Sequence, residues 1–143
     1  RRFYGHMIYT FKSYGHRNVL GNHKTTLEFT KDTSINIEAD CIIGVNANFE
    51  LDKLKEFIQY CKENNKEKVK ITIEANGITE TIFCHLNFLF DDEKEVVIRT
   101  TKFISKRTFG ILANKSSKYL KRELINQLKE GHQEINISLS PME

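Results

Sequence analysis

The chain has no tryptophan, one proline and three cysteines in 143 residues. Cys41, Cys61 and Cys84 follow no C-x-x-C spacing, which argues against a disulfide framework and against a zinc knuckle. Long apolar runs are also missing. The longest strongly apolar stretch, Cys41-Ile42-Ile43-Gly44-Val45, falls far short of the roughly 18 residues that a membrane-spanning helix needs. No charged-then-apolar leader is visible, so a cytoplasmic location without a membrane partner is expected. Neither G-x-G-x-x-G nor a P-loop occurs, so an ordinary dinucleotide or nucleoside-triphosphate fold is not indicated.

No internal repeat, linker or low-complexity tract divides the chain. Gly5-His6-Met7 looks like a cloning scar ahead of a start at Met7. Residues 1–6 are therefore read as an expression-tag remnant, and residues 7–140 as a single globular domain large enough to bury a core. Acid is absent where it matters most. From Arg99 to Arg122 there are eight bases and no Asp or Glu, whereas Glu50 to Glu95 holds eleven acids against seven Lys. The basic segment should carry a local positive field.

What is present reads as alternating strands and two helices. Met7–Tyr14 is aromatic and β-branched, as strands are. In His23–Thr30, Thr25, Leu27 and Phe29 alternate against Lys24, Thr26 and Glu28, so Glu28 is placed on the outward face. Cys41–Val45 is a short strand apolar on both faces. A helix follows from Asn48, its expected N-cap, with Leu51, Leu54, Phe57, Ile58 and Cys61 at helical spacing. Lys68–Ala75 and Ile78–Leu86 flank Asn76-Gly77, the signature of a type I′ hairpin. Glu95–Ile104 and Phe109–Ala113 are further strands. A second helix should begin at Asn114–Ser117 and run to about Glu130, with Gly131 just past its end. Gln133–Leu139 is the last strand, with Pro141 beyond it. The order βββ-α-ββ-β(β)-α-β favours an α+β domain. Its sheet should be mostly antiparallel and strongly curled, or a partial barrel, with two helices.

Several blocks carry a resemblance. G-H-x-N-V (Gly15–Val19), H-K-T-T-L-E (His23–Glu28), D-C-I-I-G-V (Asp40–Val45) and V-I-R-T-T (Val97–Thr101) resemble a conserved archaeal domain of unknown function, number 371 in its series. R-T-x-G-I (Arg107–Ile111), A-x-K (Ala113–Lys115) and L-K-R-E-L (Leu120–Leu124) extend the likeness over nearly the whole chain from Met7. The resemblance implies an archaeal cytosolic source and transfers no activity. The chain departs from the family pattern at Ala39, where that pattern has Gly, and at Asn114, where it has Asp.

Three constellations compete. His16, His23 and Asp40, with Cys41 beside them, offer donors for a metal-dependent enzyme, but H-x6-H is not a zinc spacing. The bland alternative has the His rings bonding loop backbone and Cys41 in the core. A nucleophile at Cys41 or Cys84 is disfavoured because burial keeps a thiol protonated. Anion binding has the most support. Arg99, Lys102, Lys106, Arg107, Lys115 and Ser116 lie near the start of the second helix, whose free N–H groups favour an anion. His16, Asn18, His23 and Lys24 would shape the facing wall. The expected function is binding of an anionic, phosphate-containing small ligand. Nucleic acid is the competing ligand, with Phe103 and Phe109 as stacking residues if they are exposed. The sequence names neither a cofactor nor a reaction.

Overall fold

The computed structural model describes residues 7–142, so residues 1–6, read as a tag remnant, lie outside it. Strands β1 (Tyr9–Tyr14), β2 (Thr26–Thr30) and β3 (Ile42–Gly44) precede helix α1 (Leu51–Glu63). The hairpin of β4 (Lys68–Ala75) and β5 (Ile78–Leu86) follows, then β6 (Glu95–Arg99) and β7 (Thr108–Ile111). A 3-10 turn (Ser117–Tyr119) leads to α2 (Arg122–Leu128), and β8 (Glu134–Pro141) comes last.

All eight strands join one mixed sheet in the order β1-β8-β4-β5-β7-β6-β2-β3. Five pairings are antiparallel, while β6 with β7 and β2 with β3 run parallel. The α+β class with two helices therefore holds. The expected strong curl or partial barrel does not follow from the ladders. Their order is open, and its end strands meet through one isolated bridge, in which Tyr14 and Val45 exchange two 2.8 Å hydrogen bonds.

Local chemistry accounts for most elements. Helix α1 buries Leu54, Phe57, Ile58 and Cys61 as one stripe. Its N-cap is Glu50, without a side-chain cap, because Asn48 Oδ1 is engaged by the Lys12 amide at 2.7 Å. Asn76 and Gly77 take positive φ of 51° and 81°, the conformation that a type I′ turn demands. Val69, Ile71 and Ile73 on β4, with Ile135, Ile137 and Leu139 on β8, face a core that the helices cover.

Three boundaries differ from the sequence expectation. The second helix does not start at Asn114. Leu120 is extended, and the Arg122 guanidinium bonds the carbonyls of Ser117, Lys118 and Leu120, which a continuous helix would have given to its own amides. Strand β6 stops at Arg99 because residues 100–107 return the chain so that β7 lies parallel beside it. Pro141 belongs to β8, opposite Val69 at the strand's end, where its missing N–H interrupts little. Among the described residues, no helix is long and apolar enough to cross a membrane.

Candidate functional site

Strand β2 is buried along its whole length, but its two faces differ. Leu27 and Phe29 enter the hydrophobic core, where Phe29 meets Phe11 edge to face at 5.7 Å between centroids. Thr26, Glu28 and Thr30 take the other face, since side chains alternate along a strand. The register sets Thr26 opposite Arg99, Glu28 opposite Val97 and Thr30 opposite Glu95. It then sets Val97 beside Thr108 on β7. Val97 is buried yet lies outside the main apolar cluster. This face of the sheet thus holds a second, polar interior.

Glu28 is its centre, only 2% exposed. Its Oε1 accepts from Cys41 Sγ at 3.6 Å and lies 3.5 Å from Arg107 Nη1. The same Nη1 donates to Glu95 Oε1 at 2.8 Å. Glu28 Oε2 is buried and has no hydrogen-bond partner among the described residues. Burial, and then the neighbouring Glu95 carboxyl, push the Glu28 carboxyl up to about 8, more than Arg107 and Cys41 pull it down. At neutral pH Glu28 is therefore an acid holding its proton. Burial, with Glu28 and Asp40 adding to it, pushes the Cys41 thiol up to about 12, so it is not a thiolate. The Glu95 hydrogen bond holds Arg107 above its ordinary range. Burial, then the charge of Arg107, lowers Arg99. Glu95 and Arg107 cancel, Glu28 is neutral, and the charge of Arg99 remains.

Arg99 is held by one hydrogen bond and one ring. Its Nε donates to Thr108 Oγ1 at 2.9 Å, and its guanidinium carbon stands 4.8 Å over Phe103, which is 61% exposed. Thr108 Oγ1 also accepts from the Ser105 amide at 3.0 Å, which pins residues 100–107 over the face. Lys102 and Lys106 are exposed on the same loop.

The other expected site residues fall into separate groups. The Ser116 hydroxyl donates to the Lys24 carbonyl at 2.7 Å, and the His23 amide donates to Ser117 Oγ at 3.0 Å. The two expected walls therefore do meet, but through structural bonds at the entry to β2. Lys115 is paired with Glu80, a buried carboxylate whose Oε1 also accepts from the Lys121 amide at 2.8 Å. Burial opposes that charge, yet Lys115 and the Lys121 amide overcome it and hold Glu80 below the usual carboxylate range. The α2 N-terminus is thus already served by an internal anion. His16 and Asn18 sit further away in the chain's packing, tied to the Ser34 hydroxyl at 3.2 Å and the Ile35 carbonyl at 2.8 Å.

The metal constellation does not assemble. His16 Nδ1 accepts the Asn18 amide, and His23 Nδ1 accepts the Thr25 and Thr26 amides, so both rings stabilise turns. Among the described residues, no group of three or more His, Cys, Asp or Glu side chains is placed to hold a metal ion. Asp40 adds its charge to the burial that raises the Cys41 thiol. A pocket of about 720 Å³ opens elsewhere, between Lys31, Asp52, Lys55 and Lys94. Two of its lysines are already paired, Lys55 with Asp91 at 2.7 Å and Lys94 with Asp32 at 3.0 Å.

Sequence reasoning missed Glu28, Glu95 and Thr108 as a unit. Alternation correctly set Glu28 opposite Leu27 and Phe29, but the opposite face is another interior rather than solvent. A usable signal existed: Glu28, Cys41, Arg99 and Arg107 come from four of the blocks that carried the family resemblance.

Together, fold and site define an α+β protein with a mixed sheet, in which a buried carboxyl, Glu28, lies beside the half-buried Glu95 under a basic loop. The chain belongs to the family described as Domain of unknown function (DUF371), whose family model matches residues 11–141. It is 38% identical over 129 residues to an uncharacterized protein of Methanocaldococcus jannaschii, covering 87% of this chain and 93% of that protein.

Proposed function

We propose that the chain binds a small anionic, phosphate-bearing ligand at the loop running from Arg99 to Arg107. One observation carries this reading. The Arg99 guanidinium is oriented by Thr108 and Phe103, and its Nε bond to Thr108 is its only hydrogen bond among the described residues, which leaves both Nη groups for a ligand. A fork of this kind matches two oxygens of a phosphate. Lys102 and Lys106 add charge from the same loop, and no acid follows in sequence before Glu123. Arg107 has a different part, since its Nη1 is committed to Glu95 and Glu28. Lys115 and Ser116 leave the ligand set for internal partners. A cytosolic location belongs to the same proposal and is supported by three unpaired thiols.

A titration with inorganic phosphate, pyrophosphate and nucleoside monophosphates at low salt tests this. Binding is expected in the wild type and should weaken at least tenfold in Arg99→Ala. Unchanged binding by that variant removes Arg99 from the site.

Nucleic acid is the second reading, favoured by aromatics outside the core. Phe103 and Tyr119 are 61% and 59% exposed, with Arg99 and Lys118 against their rings at 4.8 and 5.9 Å. Phe109 drops out because it is fully buried. A single-stranded oligonucleotide bound this way should lose affinity steeply with salt and on Phe103→Ala. Failure to bind any oligonucleotide at low salt ends this second reading.

A further inference from the structure

We infer that Glu28 and Glu95 hold one proton between them, and that this pair makes the Arg99 site co-bind a proton with a tetrahedral oxyanion. The inference rests on the anion reading above and adds a partner to it. Its geometric basis is the buried Oε2 of Glu28, which has no hydrogen-bond partner among the described residues. As a carboxylate oxygen it would be a buried acceptor with no donor, which is unfavourable. As a carboxylic acid Glu28 becomes a donor, and the carboxyl that neighbours it is that of Glu95. Arg107 Nη1 bridges the two groups, at 2.8 Å to Glu95 and 3.5 Å to Glu28. Two carboxyls this close do not both ionise easily.

Among the described residues, the charged and titratable groups that act on Glu28 fit this picture. From β6 come Glu95 and Arg99, from the loop Arg107, and from the segment before β3 the Cys41 thiol, with Asp40 behind it. With the proton in place the cluster carries the net charge of Arg99. Without it, Glu28 cancels that charge. An oxyanion on Arg99 is therefore attracted to the protonated form and repelled by the second carboxylate. By reciprocity, the bound anion must tighten the proton. Glu95 is the outer member of the pair, with a side chain 20% exposed, and along β6 it lies on the far side of Val97 from Arg99.

Carbon-13 NMR of glutamate-labelled protein, titrated from pH 6 to 10 with and without sulfate or phosphate, tests this. Sulfate keeps its charge across the range, so any coupling belongs to the protein. In the wild type one buried carboxyl should titrate near 8 and move upward when anion is added. Affinity for sulfate should fall on the order of tenfold between pH 7 and 9, with a proton taken up on binding at pH 9. Glu28→Gln should abolish the high-pH titration and the pH dependence. Glu95→Gln, a second variant that removes the neighbouring charge, should move the Glu28 titration downward. Arg99→Ala should keep the titration but lose its response to anion. If no carboxyl titrates between pH 7 and 9, the shared proton is wrong whatever binds. If sulfate binds through Arg99 without moving the titration, the coupling is wrong and the anion site stands. If the carboxyl titrates near 8 and no anion binds, the anion reading fails and the coupling goes with it.

Discussion

Arg107 reaches Glu28 at 3.5 Å, although 44% of the Arg107 side chain is exposed and only 3% of that of Glu28. Among the described residues, a surface cation is thus the one full charge of opposite sign in contact with a carboxyl deep in the sheet. It is too exposed to offset the burial of that carboxyl. Glu28 consequently stays protonated, and the stability of the fold becomes tied to pH.

The sign follows from proton counting. An unfolded Glu28 titrates near 4.5 and the folded one near 8, so between these values the native state holds more protons. Stability should decline as pH rises through that window, by up to about 1.4 kcal/mol per pH unit from this group. Thermal melts at pH 5, 7 and 9 should show a falling midpoint. Glu28→Gln, neutral at every pH, should flatten the trend. A wild type equally stable at pH 5 and 9 contradicts a proton-holding Glu28.

Glu80 is the opposite case. Lys115 and the Lys121 amide hold it below the usual carboxylate range, so its contribution is present above that range and fades as pH falls through its folded pKa. Glu80→Ala should cost about 3 kcal/mol in denaturant unfolding at pH 7, because it strands a half-buried Lys115 and the Lys121 amide at the N-cap of α2. Glu80→Gln should cost less and remove part of the acid sensitivity. A loss below about 0.5 kcal/mol for the alanine variant would mark the pair as a surface one.

Gly15 sits where two segments are stitched, its amide on the Gln133 carbonyl at 2.8 Å and the His16 amide on that of Leu128 at 2.9 Å. An added Cβ would fall against the carbonyl oxygens of Glu130 and Leu128, which are backbone and have little room to yield. Gly15→Ala should destabilise by about 2–3 kcal/mol. Gly131→Ala, where a Cβ meets nothing within 4 Å, should change stability by under about 0.5 kcal/mol. Equal melting temperatures for the two variants would refute this account of the junction.

Cys41 should be a slow nucleophile despite being the most accessible of the three thiols. Burial and the Glu28 carboxyl push it up to about 12, so little thiolate exists at pH 8. Iodoacetamide should modify the native protein far more slowly than the guanidinium-unfolded chain, with the Cys41 peptide followed by mass spectrometry. Fast labelling of folded Cys41 at pH 8 would mean that it is activated instead.

The sequence by itself determined the elements whose chemistry is local. The Asn76-Gly77 turn, the Leu54-Phe57-Ile58-Cys61 stripe and the alternation of β4 depend on neighbours within a few residues, and all appear where periodicity put them. The α+β class followed from the same patterns, and the family from the resemblance of blocks such as His23–Glu28 and Val97–Thr101. The charge of residues 99–122 was also plain, but not its disposal. Whether Lys115 is free or paired depends on Glu80, 35 residues away, and whether a helix starts at Asn114 depends on where the Arg122 guanidinium goes. Only the tertiary structure decided that the outward face of β2 is a second interior. Alternation fixes which side of a strand a residue takes, but what covers that side is set by register between distant strands. Glu28, Glu95 and Arg107 become one site because β2 pairs with β6 and β6 with β7.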